Sequence, residues 1–162
     1  MQIATTRPGL ELRSLVPDDA YAYATLLQAN ADHLTRHGDY VDEIGISADE
    51  YAAEFAKCDP LRDFGIYEDG VLVGAAALVL GEPPKYGLGY LLAERACGRG
   101  IATLSVHALA RHARARLDAT DLFAGVTHGN HASAAVLKRL GFRRIASFES
   151  YARYHLELSR LG

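Results

Sequence analysis

Between Gly89 and Ala110 the chain reads GYLLAERACGRGIATLSVHALA: an apolar strand pattern, a turn holding two glycines, and a long helical pattern that opens at once. A strand that runs directly into a long helix calls for helices packed on a sheet, the α/β or α+β class. The turn between them also has a chemistry. Backbone N–H groups at a helix N-terminus, together with the helix dipole, favour an anion such as phosphate. Gly98 and Gly100 let the backbone approach closely, and Arg95 and Arg99 can add positive charge. From the turn alone, phosphate binding and an ordinary strand-to-helix connection stand equally open. A P-loop needs Lys-Ser or Lys-Thr after its last glycine, and Ile101-Ala102 stands there instead. A dinucleotide fingerprint beginning at Gly87 would need a third glycine where Leu92 stands.

The remaining pattern agrees with a mixed sheet. Leu10 to Val16 alternates as a half-buried strand, and Pro17-Asp18-Asp19 opens a helix to about Asn30, with a short one through His33. Gly38 to Ser47 is expected to be an irregular acidic surface loop, and Ala48 to Ala56 a short helix capped by Ser47. Asp69-Gly70 between two apolar runs predicts a hairpin, followed by a strand over Lys85 to Leu92. Ala102, Val106, Leu109, Ala113 and Leu117 form one apolar stripe on a helix from Ile101. Then come a strand over Leu122 to Thr127, a helix from Ala132 to Leu140 ended by Gly141, and two strands, Arg143 to Phe148 and Tyr151 to Leu158. The 162 residues suit one domain, expected over 10–162 after a polar lead-in of residues 1–9. A formal net charge of −3 argues against a nucleic-acid partner. With no apolar leader or spanning segment in the pattern and only two cysteines, Cys58 and Cys97, a cytoplasmic protein without a disulfide scaffold is expected.

Two motifs in register carry a family resemblance. Arg95-x-x-Gly98-x-Gly100, followed by Ile101-Ala102-Thr103, resembles the acyl-CoA loop Q/R-x-x-G-x-G/A of the GNAT superfamily of N-acetyltransferases. Asn130-His131-Ala132-Ser133, leading through AAVLKRL to Gly141-Phe142, resembles the N-x-x-S…GF segment of its ribosomal-protein N-terminal acetyltransferase (Rim-type) branch, as does LELRSLVPDDAYAYATLL near the start. The resemblance spans residues 10 to 160. It implies a GNAT-type mixed, mostly antiparallel sheet flanked by helices, and acetyl-CoA as co-substrate without a metal. It also implies that the strand before the loop splays from the next one. Pantetheine would lie along Tyr90, Leu91 and Leu92, pyrophosphate on the turn of Arg95, Gly98, Arg99, Gly100, Ile101 and Ala102, and Asn130 would meet the pantetheine arm. Many family members carry a tyrosine acid seven residues after the asparagine; Leu137 stands there, which moves the acid role to Ser133. Rim-type members often place Glu where Leu104 stands, a second departure.

Proton transfer needs further groups. Glu149, in the turn SFESY, resembles the position of a proposed base in that branch, and His128 or a water chain is the alternative. Asp39, Asp42 and Glu43, in the acidic segment after the first helix, are expected to draw a cationic amine by long-range attraction; the competing reading is a solvated surface run. His107 and His112 are expected to be exposed, His128 and His131 to lie in a surface turn, and Cys97 to be a small filler in the loop. Three functions follow: acetylation of a peptide or protein N-terminus, acetylation of a small-molecule amine, or a catalytically silent acyl-CoA-binding module. Monomer and homodimer both remain open.

Overall fold

The computed structural model describes residues 1–162. Its strands are β1 (Gln2–Ala4), β2 (Leu10–Ser14), β3 (Asp63–Glu68), β4 (Val71–Leu80), β5 (Lys85–Leu92), β6 (Asp121–Thr127), β7 (Arg143–Ser147) and β8 (Tyr151–Glu157). They form one eight-stranded sheet in the order β1-β2-β3-β4-β5-β6-β8-β7. All neighbours run antiparallel except β5 and β6. That parallel pair requires a crossover, supplied by the long helix α5 (Ile101–Leu117). The other helices are α1 (Ala20–Ala29), α2 (Ala31–Leu34), α3 (Val41–Ile44), α4 (Ala48–Phe55) and α6 (His131–Arg139). None is long and apolar enough to cross a membrane.

Alternation along the strands sorts side chains to two cores. Leu10, Leu12, Phe64, Leu88, Leu122 and Leu156 pack with Ile101, Val106 and Leu109 of α5 and Leu137 of α6. On the other face Tyr67, Leu72, Ala75 and Leu91 pack with Ala24 and Leu27 of α1 and Tyr51 and Phe55 of α4. The Asp69-Gly70 hairpin forms as the sequence predicts, with positive φ at both residues. Gly141, at φ 94°, ends α6.

The structure corrects three expectations. The lead-in contains β1, which pairs with β2 and forms the sheet edge. The acidic segment is not wholly irregular: α3 lies within it, entered through Tyr40 at φ 62°. His112 is buried rather than exposed. Its Nε2 meets the Leu61 carbonyl at 2.8 Å and its ring packs edge-on to Phe64, because the segment before β3 folds over α5.

The register around β5 positions the site. β4 and β5 pair from Leu80–Tyr86 through Gly74–Leu92. β5 and β6 pair only at Lys85–Asp121, Tyr86–Leu122 and Gly87–Phe123, after which they part. Beyond that point β6 stays paired with β8 as far as Thr127. Gly74 holds the tightest point of this arrangement, since a Cβ there would lie 2.3 Å from the Leu91 carbonyl oxygen. Overpacking of this kind costs about 1–3 kcal/mol, or about 3–10 °C of Tm for a chain of this size. Gly74→Ala is therefore expected to lower Tm in calorimetry by that amount, whereas Gly89→Ala, which meets open space, leaves it within about 2 °C.

Candidate active site

The parting of β5 and β6 leaves backbone groups facing a gap. Ala93 N–H donates to the Val73 carbonyl, and on the far edge of β4 Leu78 N–H donates to Arg62. Antiparallel alternation then turns the N–H and C=O groups of Tyr90 and Leu92 away from β4, toward the gap. One of these groups has a partner: Tyr40 Oη donates to the Tyr90 carbonyl at 3.0 Å. Burial pushes the Tyr40 phenol well above its ordinary pKa, so it remains a donor.

The amino end of α5 lies at the carboxyl end of β5. Gly98 and Gly100 have φ of 74° and 80°, left-handed values that favour glycine. Leu104 N–H donates the first helical bond to Gly100 O, so the N–H groups of Ile101, Ala102 and Thr103 have no partner in the helix. They border a cleft of about 430 Å³ that also takes in Tyr90, Leu92, Asn130 and Ser133. A smaller recess of about 100 Å³ continues between the parted strands, bordered by Asp39, Gly125, Thr127 and Leu137. Asn130 caps α6 by accepting from Ser133 N–H at 3.2 Å, and Ser133 Oγ lies 2.7 Å from Tyr90 Oη.

Most residues singled out in the sequence meet here. Tyr90, Leu91, Leu92, Gly98, Gly100, Ile101, Ala102, Asn130, Ser133 and Asp39 all border the cleft. Two arginines of the turn do not. Arg99 forks onto Glu68 of β3 with two 2.9 Å bonds, and that bidentate geometry turns it away from the cleft. Arg95 lies on the 3-10 turn Glu94–Ala96 and is exposed outside the cavity. Arg7 ties the turn instead, its Nη2 donating to the Arg99 carbonyl at 2.8 Å.

The carboxylates divide likewise. Asp39 enters the cavity, and both its oxygens accept from Thr127 Oγ1 at 3.0–3.1 Å. Asp42 and Glu43 sit on α3, exposed and outside both cavities. Glu149 is exposed in the β7–β8 turn and borders neither cavity, because that turn is closed by Phe148 N–H on Tyr151 O. His128 Nε2 is engaged by the Phe148 carbonyl at 2.8 Å. Asp121 sits at the closed end of β6, held by Thr120 and His155. Four polar lining residues gave no sequence signal: His33, Arg36 and His37, and Arg139 at the end of α6. Only the fold brings the α1–α3 connection across the strand gap. Asn30 Oδ1 accepts from Glu94 N–H at 2.9 Å, and His33 Nε2 lies 3.5 Å from Cys97 Sγ.

Comparison with known proteins agrees with this architecture. Residues 9–143 match the sequence profile described as an acetyltransferase (GNAT) domain. Among solved structures, RimJ of Mycobacterium smegmatis in complex with CoA-disulfide superposes with a TM-score of 0.84 at 21% identity, over 99% of this chain and 89% of that one. A ribosomal-protein-S5-alanine acetyltransferase from Vibrio fischeri gives 0.82 at 15% identity, over 98% and 99%. An acetyltransferase from Salmonella typhimurium that modifies the N-terminal serine of ribosomal protein L7/L12 gives 0.77 at 20%, over 97% and 99%. At these identities the likeness is one of fold. No curated protein sequence matches the chain.

The two free thiols test the cavity's accessibility. Burial, then Glu94, raises the Cys97 thiol against the opposing pull of Arg36; burial, then Asp63, pushes Cys58 up to about 11. Both stay protonated at neutral pH, so neither is an activated nucleophile. Iodoacetamide at pH 8 is expected to label Cys97, which borders the cleft, before Cys58, with both slower than free cysteine. Peptide mapping that finds Cys58 labelled first would contradict this picture of the cleft.

Proposed function

Because the chain belongs to the GNAT acetyltransferase family, we propose that it carries an acetyl group from acetyl-CoA directly to a primary amine, and that a peptide or protein N-terminus is the acceptor class. The observation that carries this reading is the meeting of the strand gap, the free amides of α5 and the Asn130–Ser133 turn around one cleft. The acceptor class rests on the fold shared with acetyltransferases of ribosomal proteins. A cytoplasmic setting fits two free cysteines.

The residues present fit the co-substrate. The N–H groups of Ile101, Ala102 and Thr103 would hold its pyrophosphate, with Arg36 and Arg139 supplying positive charge at the rim. The gap-facing groups of Tyr90 and Leu92 and the Asn130 side chain would hold the pantetheine arm. Acetyl-CoA supplies an acetyl group activated as a thioester. Ser133 would present its hydroxyl to the sulfur, stabilising negative charge there as the bond to the acetyl carbon breaks.

Asp39 would draw the acceptor. It is fixed by Thr127 at the mouth of the recess, where its carboxylate faces the approach of an ammonium. The ammonium must lose a proton before it can attack. The titratable side chains bordering the cleft are His33, His37, Asp39, Tyr40, Tyr90 and Cys97. Since Glu149 lies outside both cavities, the base for this proton would come from within the cleft. Neither thiol is an activated nucleophile, which supports transfer without an acyl-enzyme.

Two outcomes test this reading. Gly100→Asp sets a carboxylate against the helix amides, and calorimetric affinity for acetyl-CoA should fall at least about 100-fold, some 2.7 kcal/mol; unchanged affinity would sink the phosphate assignment. Asp39→Asn should raise the KM for a peptide acceptor about fivefold or more, since long-range attraction to the site is lost. The pair Asp42→Asn with Glu43→Gln should leave that KM unchanged. The reverse pattern, read by thiol release, would return the acceptor role to the exposed α3 carboxylates.

A further inference from the structure

Ser133 is the first-turn residue of α6 whose side chain enters both cavities, and its hydroxyl has one proton to place. Tyr90 Oη, 2.7 Å away, is also a hydroxyl, and only one of the two donates to the other. A phenol is more acidic than an aliphatic alcohol, so it is the better donor and the serine oxygen the better acceptor. We infer that Tyr90 is a positioning residue for Ser133: its O–H donates to Ser133 Oγ and so turns the serine's own proton toward the cleft. This rests on the acetyl-transfer reading above, in which that proton meets the departing sulfur.

The surroundings hold the phenol in place for this task. Its strand is paired to β4 along one edge, and the Tyr90 carbonyl on the other edge is held by Tyr40 Oη at 3.0 Å. Its side chain packs against the core beneath α5 and α6. Burial raises the Tyr90 hydroxyl above the usual phenol range, so it stays protonated and keeps a proton to donate. On the serine's side, the backbone N–H is engaged by Asn130 Oδ1 at 3.2 Å, which holds the backbone that carries Oγ. One helical turn on, Leu137 is buried and apolar, so α6 offers Ser133 no polar side chain of its own there. The strand supplies the phenol.

The chemistry balances without net proton loss from Tyr90. The amine nitrogen forms a bond to the acetyl carbon, the carbon–sulfur bond breaks, and its electron pair passes to sulfur. The Ser133 O–H donates a hydrogen bond to that sulfur while the Tyr90 O–H donates to Ser133. The ammonium loses one proton into the cleft and its water before attack, the nitrogen loses a second once it is bonded to the acetyl carbon, and water returns one of the two to the thiolate. Tyr90 thus makes the serine a stronger donor at the moment charge appears, the cooperative behaviour of linked hydrogen bonds.

The test is a double-mutant cycle on steady-state kinetics with acetyl-CoA and a peptide amine. Hydrogen bonds to a charged group are worth roughly tenfold to a hundredfold. Tyr90→Phe, which keeps the ring and its packing, should lower kcat by about tenfold while KM for acetyl-CoA moves less than twofold. Ser133→Ala should cost at least as much, and the double variant should be no slower than Ser133→Ala alone, because Tyr90 acts only through the serine. Full activity of Tyr90→Phe, or losses that multiply in the double variant, would overturn the inference. A rise in KM with kcat unchanged would assign Tyr90 to packing and overturn it as well. A wild-type protein without turnover on any amine would instead defeat the acetyl-transfer reading, an outcome distinct from these. Thermal melts of both variants within about 2 °C of wild type confirm that the cycle compares folded proteins.

Discussion

The site exists because two neighbouring strands cannot follow each other. β5 is held along its far edge by β4 as far as Leu92, and β6 by β8 as far as Thr127. Between them, pairing ends at Gly87 and Phe123. Strand edges left facing a gap inside a fold must find partners, since buried backbone polar groups are costly unmet. Here the gap opens beside the amino end of α5, which has unmet N–H groups of its own. A ligand that is anionic at one end and amide-rich along its length satisfies both sets at once.

The connection from α1 to α3 turns that gap into a cleft. It is anchored at Asn30 to the Glu94 amide, touches the Gly98–Gly100 turn through His33 and Cys97, and reaches the parted strands through Asp39 on Thr127 and Tyr40 on Tyr90. Tyr40 enters α3 at a positive φ, a conformation that non-glycine residues adopt at some cost. That backbone turn lets its hydroxyl reach β5. One segment therefore touches both ends of the cleft.

Much of this was legible from residue order. The strand–glycine turn–helix join announced the crossover and the open amino end of α5, because φ at Gly98 and Gly100 and the unpaired first-turn amides are local properties. Asn130 and Ser133 came from the N-x-x-S resemblance, and the structure adds that Asn130 caps α6. What stayed hidden depended on partners far away in sequence. Arg99 stands in the right turn but finds Glu68 on β3. Glu149 lies in a turn whose closure leaves it outside both cavities. Helical spacing alone sets His112 toward solvent, yet it is covered by the segment before β3. Tyr90 carried no sign that its hydroxyl would meet a serine on a helix 43 residues on, since that contact is made by the sheet and not by either motif.

The claim that the parted strands are the seat of the acyl donor is tested most directly by amide hydrogen exchange along β5 with and without acetyl-CoA. The N–H groups of Tyr90 and Leu92 face the gap, whereas Lys85 to Gly87 lie where β5 and β6 still pair. Acetyl-CoA is expected to slow exchange at Tyr90 and Leu92 at least tenfold while leaving Lys85 to Gly87 unchanged, as local protection by a bound partner requires. Binding that leaves Tyr90 and Leu92 exchanging at their free rates would place the donor elsewhere and contradict the account.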